Sequence, residues 1–181
     1  TAVDELGIAD NTVIIFMGDN GTDLHTPRKT DAGMVTGGKT DLNDGGTHIP
    51  LIVRWPKHVQ RGAVADDLID IADLFPTICD LAGFDVPESL TIDGVSFADT
   101  LRGAKERSSS REWVTAGISG ENSLFDGKWR LNVKSGRILD ARNLPRESVV
   151  SELAVQELPA EDRTDIQQLH ALGERLRQLA R

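Results

Sequence analysis

The chain has 181 residues, 39% of them apolar, which suffices for one ordinary core, or for one core plus a small annex, in a globular protein. Acidic residues outnumber basic ones by 29 to 20, and the resulting net charge of −9 argues against nucleic acid or an anionic membrane as a partner. The single cysteine, Cys79, excludes an intrachain disulfide, and the sequence contains neither an apolar run of about 18 residues nor a stretch that reads as a signal peptide.

In chain order, TAVDELG reads as the last turns of a helix that stops at Gly7 in a left-handed position. Thr12 to Met17 follows as a central strand of a parallel sheet, because every position is apolar or β-branched and no two-residue alternation is present. Such a strand needs cover on both faces, so the expectation is that further chain precedes Thr1 and supplies it. From Gly18-Asp19-Asn20-Gly21 to about Gly46 the sequence is rich in Gly, Thr, Asp and Asn and lacks periodicity, the composition of a long functional loop. PLIVRW, Pro50 to Trp55, is a second strand of similar type.

In DLFPTICDLAG the expected helix is capped by Asp73, carries Pro76 in its first turn where the missing N–H costs nothing, and stops at Gly83. Leu74, Ile78, Leu81 and Ala82 form the face expected to pack on a sheet, with Cys79 as a small core residue. After the amphipathic FADTLRG, the charged, serine-rich AKERSSSRE reads as a linker. EWVTAGI, KWRLNV and RILD then suggest a small antiparallel sheet with one covered face. The tail is a helix with Ile166, Leu169, Leu172, Leu176 and Leu179 on one face and His170, off that stripe, in solvent. These elements predict an α/β fold over residues 1–104, with a mixed or parallel sheet sandwiched by helices. A smaller α+β subdomain of antiparallel sheet plus C-terminal helix is expected over 105–181.

Gly33 to Thr40 fits the G-x-x-x-x-G-K-T pattern of a phosphate-cradling P-loop. That motif needs a buried strand before it and a helix after it. Here HTPRKTDA precedes it, and the Gly45-Gly46 pair and Pro50 follow, costing a helix roughly 1 kcal/mol per Gly and 3 for Pro. Asp19 and Asn20 stand instead at the carboxyl end of a strand, where ligands of α/β sheets bind. They offer hard oxygen donors suited to Ca²⁺ or Mg²⁺; a simple turn is the alternative. Lys39, between glycine pairs, can bring one point charge to a ligand, and His48, at the mouth of the second strand, can face the same site or serve structure.

NTVIIFMGDNG, then GGKTDLNDGGTHIPLIVRWP, then DLFPTICDLAG with IDGVSF, resemble in order and spacing the C-terminal half of a sulfatase of the alkaline-phosphatase superfamily. FDGKWRLNV and RILDARNLPRES are more loosely similar to the small C-terminal sheet of those enzymes, with Leu144-Pro145 where Asp-Pro is common. The resemblance implies formylglycine-dependent hydrolysis of a sulfuric ester, with Asp19 and Asn20 as calcium ligands. It makes Lys39 the lysine that contacts the sulfate group and the ester oxygen. Asparagine at position 20 separates this pattern from zinc-dependent relatives, which tend to carry Asp-His. Thr40, Asn43-Asp44 and His48 stand where the family commonly has Gly, Tyr-Glu and Arg, which leaves substrate choice open; His48 is a candidate for substrate binding.

The resemblance also implies parts that these residues lack. The family nucleophile, a cysteine or serine oxidised to formylglycine, sits in a Cys-x-Pro-Ser-Arg type motif, whereas Cys79 lies in TICDLAG. It belongs, with two further metal-binding aspartates, to an N-terminal part of the same polypeptide. This chain alone is therefore expected to hydrolyse nothing. The implied substrate is a sulfated small molecule or glycan, and export to the periplasm or the medium is implied by resemblance alone. Two other readings remain: a phosphate or phosphonate monoester hydrolase of the same superfamily, and a non-catalytic calcium-binding interaction module.

Overall fold

A computed structural model describes residues 1–30, 33–103, 111–144 and 147–179. They fall into two compact units, Thr1–Met17 with Pro50–Glu112, and Gly18–Ile49 with Trp113–Arg181. The loop Gly18–Ile49 groups with the C-terminal residues in the second unit.

In the first unit, helix α1 (Ala2–Glu5) ends before Gly7, whose φ of 68° is the left-handed stop that its sequence indicates. Strand β1 (Ile14–Met17) pairs with β4 (Leu51–Arg54), Ile14 opposite Arg54 and Met17 opposite Leu51. The pairing is antiparallel, which corrects the expectation of a parallel neighbour. An apolar, β-branched run reports how much of a strand can be buried, not the direction of the strand beside it. Ile14, Phe16 and Ile52 share an exposed face of this pair.

Helix α3 (Leu74–Ala82) ends at Gly83, φ 75°, as its sequence predicts. Its start differs. Asp73 occupies the cap position, yet its carboxylate makes no cap bond to α3; Asp70 caps the preceding 3₁₀ turn, accepting from Ala72 N at 2.9 Å. Asp73 is buried and accepts instead from Asp70 N and Val95 N, both at 2.7 Å, while pairing with the Arg111 guanidinium. Thr77 extends the same stripe, donating to Asp73 O at 2.6 Å and accepting from Phe97 N at 3.0 Å. The helix face buried here is thus Asp73, Pro76 and Thr77, near helix α4 (Ala98–Leu101), whereas Ile78 and Ala82 are exposed and Leu74, Leu81 and Cys79 half-buried. Hydropathy periodicity pointed to the wrong face because the buried stripe is polar and satisfied by hydrogen bonds. Most of the expected linker, residues 104–110, lies outside the described residues.

The second unit holds a five-stranded antiparallel meander, β5 (Val114–Ile118), β6 (Glu121–Phe125), β7 (Trp129–Asn132), β8 (Ile138–Asp140) and β9 (Ser148–Val150), each strand paired with the next. The expected segments correspond to β5, β7 and β8. Leu124 faces Leu131, and Leu131 faces Ile138, so one side of the sheet presents a continuous apolar row. Helix α5 (Glu152–Glu157) is capped by the Ser151 hydroxyl, and helix α6 (Ala160–Leu179) supplies Ile166 and Leu169 to a core with Leu124, Trp129, Leu131, Val133 and Ile138. Leu172 and Leu176 lie at its edge; Leu179 is exposed. His170 is half-buried, not fully solvated as expected. Before the sheet, the loop forms a short hairpin, β2 (Arg28–Thr30) with β3 (Gly33–Val35), and a single turn of helix, α2 (Asp44–Thr47).

Candidate active site

Asp19 and Asn20 follow β1 after the single residue Gly18, and the chain then folds back on itself through backbone contacts. Gly21 N donates to Gly46 O at 3.1 Å, Lys39 N to Thr22 O at 3.0 Å, and Asp41 N to Gly38 O at 2.7 Å. The segments carrying Asp19-Asn20, Lys39 and the approach to His48 are thereby tied into one knot. Glycine is required at its crossings. A Cβ on Gly21 would lie 2.1 Å from Gly45 O, one on Gly37 2.2 Å from Thr22 O, and one on Gly46 2.1 Å from Asp41 O. These glycines let backbone pack on backbone.

Gly46→Ala is accordingly expected to loosen the knot and to lower thermal stability by about 1–3 kcal/mol, the ordinary range for overpacking, as read by denaturant unfolding. An unchanged midpoint would contradict the packing role.

Lys39 precedes Thr40, whose φ of 79° is left-handed, a conformation costing a β-branched residue about 1–3 kcal/mol and held only by surrounding constraint. A turn, not a helix, follows Lys39; the next helical residues are the four of α2. The P-loop pattern therefore has no structural counterpart. Asp19, Asn20, Lys39 and His48 are all exposed. The side chains of Asp19, Asn20 and Lys39 take part in no hydrogen bond or ion pair among the described residues. Two neighbouring oxygen donors and one ammonium group are thus presented from a backbone fixed by its own contacts. Asp19 and Asn20 fit a hard cation by donor type, and can fill part of the 6–8 oxygen shell typical of Ca²⁺.

His48 is differently placed. Its Nδ1 lies 2.9 Å from the Oδ1 of Asp44, one helical turn earlier. That hydrogen bond raises the His48 pKa above its ordinary value; burial and the Arg130 charge oppose the rise. Asp44 is buried, and its amide donates a long hydrogen bond, 3.4 Å, to Glu147 Oε2. Glu147 Oε1 in turn accepts from Arg130 Nε at 2.7 Å. Both partners of this pair are buried, with 4% and 6% of their side chains exposed, and the Arg130 guanidinium lies 4.6 Å from the centre of the Phe125 ring. Sequence reading missed Arg130 and Glu147. The one available signal was an arginine in the middle of the strand KWRLNV, next to Trp129 and Leu131.

Residues 1–84 match the Sulfatase family model. Mouse steryl-sulfatase is 36% identical over 113 residues, covering 59% of this chain and 18% of that protein. Human arylsulfatase A is 35% identical over 104 residues, covering 57% and 20%. A solved 2-O GAG sulfatase, 22% identical, superposes with a TM-score of 0.61 over 91% of this chain and 37% of its own, and shows the same fold. The chain spans about a fifth of the length of the curated relatives that it matches. Through residues 1–84, the chain is similar to the sulfatase family.

Proposed function

We propose that the chain is the C-terminal portion of a metal-dependent sulfatase, a hydrolase of sulfuric esters, to which it contributes a cation and part of the metal site. The observation that carries this reading is the presentation of Asp19, Asn20 and Lys39, without side-chain partners among the described residues, from one glycine-packed knot within the segment that matches the Sulfatase family model.

Lys39 acts on the ester. As the S–O bond breaks, negative charge develops on the leaving oxygen, and an ammonium fixed beside it stabilises the transition state more than the ground state. Asp19 and Asn20 would hold Ca²⁺, with Mg²⁺ as the alternative, and the bound ion supplies positive charge to the sulfate oxygens. His48, with its proton favoured by Asp44, offers a second cation to an acidic substrate. The substrate class is a sulfated small molecule or glycan. Residues 1–104 would belong to the α/β core and 105–181 to the C-terminal subdomain. Among the described residues no helix is long and apolar enough to cross a membrane.

The nucleophile is assigned to an upstream part of the same polypeptide, as a formylglycine. These 181 residues contain no Cys- or Ser-x-Pro-x-Arg sequence, and Cys79 lies half-buried within α3. The isolated chain is therefore expected to release no sulfate from an aryl sulfate. Hydrolysis by the purified 181-residue chain that disappears in Lys39→Ala would overturn the assignment. Tight calcium binding by the isolated chain, seen by calorimetry, would favour the non-catalytic module instead.

A further inference from the structure

We infer that Arg130 and Glu147 are positioning residues for Lys39: the buried pair holds the Asp44 amide and, together with His48, clamps the loop that carries the lysine. The inference rests on the sulfatase reading only for the role of Lys39; the clamp itself is a matter of geometry.

A buried ion pair contributes little to stability for its cost in desolvation, and its clearest use is to fix geometry. Glu147 uses both oxygens, one for Arg130 at 2.7 Å and one for the Asp44 amide at 3.4 Å. Arg130 cannot follow a shift of Glu147, because it sits on β7 between Trp129 and Leu131, both fully buried, and lies against the Phe125 ring. The Asp44 amide is a first-turn donor of α2, one of those that a helix leaves without an internal partner. Its bond to Glu147 therefore ties the start of α2 to the sheet. From there the connection to Lys39 is short: the Asn43 side chain accepts from Gly46 N at 3.2 Å, Gly46 packs on Asp41 and Gly38, and Asp41 N bonds Gly38 O.

His48 makes this clamp titratable. The groups facing it are Asp44 on its own turn and Arg130 from β7, with Glu147 behind Asp44. Because the folded-state pKa is raised, the charged His48–Asp44 pair is complete below the ordinary histidine value of about 6.5. It is lost as pH rises through the folded value. An arginine at position 48 would keep the charge at all these pH values.

The test uses the complete polypeptide, with an aryl sulfate as substrate and hydrogen exchange of residues 38–46 as a second readout. Glu147→Gln is expected to lower kcat about 10- to 100-fold with KM changed less than roughly twofold, the effect of displacing a group that acts on the transition state. In the Lys39→Ala background the same change should lower kcat no further, and His48→Arg should remove one alkaline limb from the pH profile of kcat. Exchange over residues 38–46 should quicken in Glu147→Gln. Additive losses in the double variant, an unchanged alkaline limb in His48→Arg, or unchanged exchange in folded Glu147→Gln would each overturn the inference. If Glu147→Gln does not fold, the His48→Arg profile decides. If the wild-type polypeptide leaves the aryl sulfate intact, the sulfatase reading fails, and exchange in Glu147→Gln still decides for or against the clamp.

Discussion

Lys39→Ala is expected to lower kcat on an aryl sulfate by about 100- to 1,000-fold, with KM changed by less than roughly threefold. The size follows from removing one fixed donor at the place where charge develops, worth about 2.7–4 kcal/mol in a preorganised site. The asymmetry follows because the leaving oxygen carries little charge in the ground state. The Lys39 side chain is exposed and joins no hydrogen bond or ion pair among the described residues, so its removal should leave the melting temperature unchanged. Lys39→Arg is a sharper variant. It keeps the charge but replaces a point cation by a planar fork, and should recover only part of the rate. A loss seen entirely in KM would mean that Lys39 binds ground state and transition state alike, against the proposed role. The readout is steady-state kinetics of the complete polypeptide alongside its thermal melt.

The second large effect concerns the fold. Asp73→Ala should destabilise the protein by about 3–5 kcal/mol, the usual result of removing one partner of a buried ion pair. Three donors lose their acceptor at once: the Asp70 amide, the Val95 amide and the Arg111 guanidinium. The Arg111 side chain is only 9% exposed, so it cannot turn to water without moving its surroundings, and its remaining bond to Asp93 O at 2.9 Å does not replace the lost charge. Asp73→Asn should cost less, because the amide oxygen can still accept from Val95 N. The double change Asp73→Ala with Arg111→Met should also cost less than Asp73→Ala alone, since no buried charge is then left without a partner. Equal losses in the single and double variants, measured by urea unfolding, would show that the pair does not set the stability of this region.

These two residues show what the sequence made legible. Asp19, Asn20 and Lys39 could be singled out because their chemistry is visible in residue type: oxygen donors at a strand end, and a lysine among glycines. The stops at Gly7 and Gly83 and the apolar stripe of α6 were visible for a similar reason, since each is a local pattern with a local cause. Asp73 was read as a helix cap, which is what an aspartate before LFPTI suggests locally, yet the partners that decide its role are 22 and 38 residues away. The Asp44–Glu147 bond spans 103 residues and left no local trace. Strand β6, ENSLF, escaped notice because Glu, Asn and Ser are poor strand formers, although Leu124 within it anchors the core. The direction of the β1–β4 pairing is likewise set by topology and not by the apolar run itself.

The most direct test of the central claim is the ratio of kcat/KM for a matched aryl sulfate and aryl phosphonate monoester, measured on the complete polypeptide with Ca²⁺ present. The account predicts that the sulfate ester is preferred by at least about tenfold and that Lys39→Ala lowers its turnover. Preference for the phosphonate, or sulfate turnover indifferent to Lys39, would contradict it.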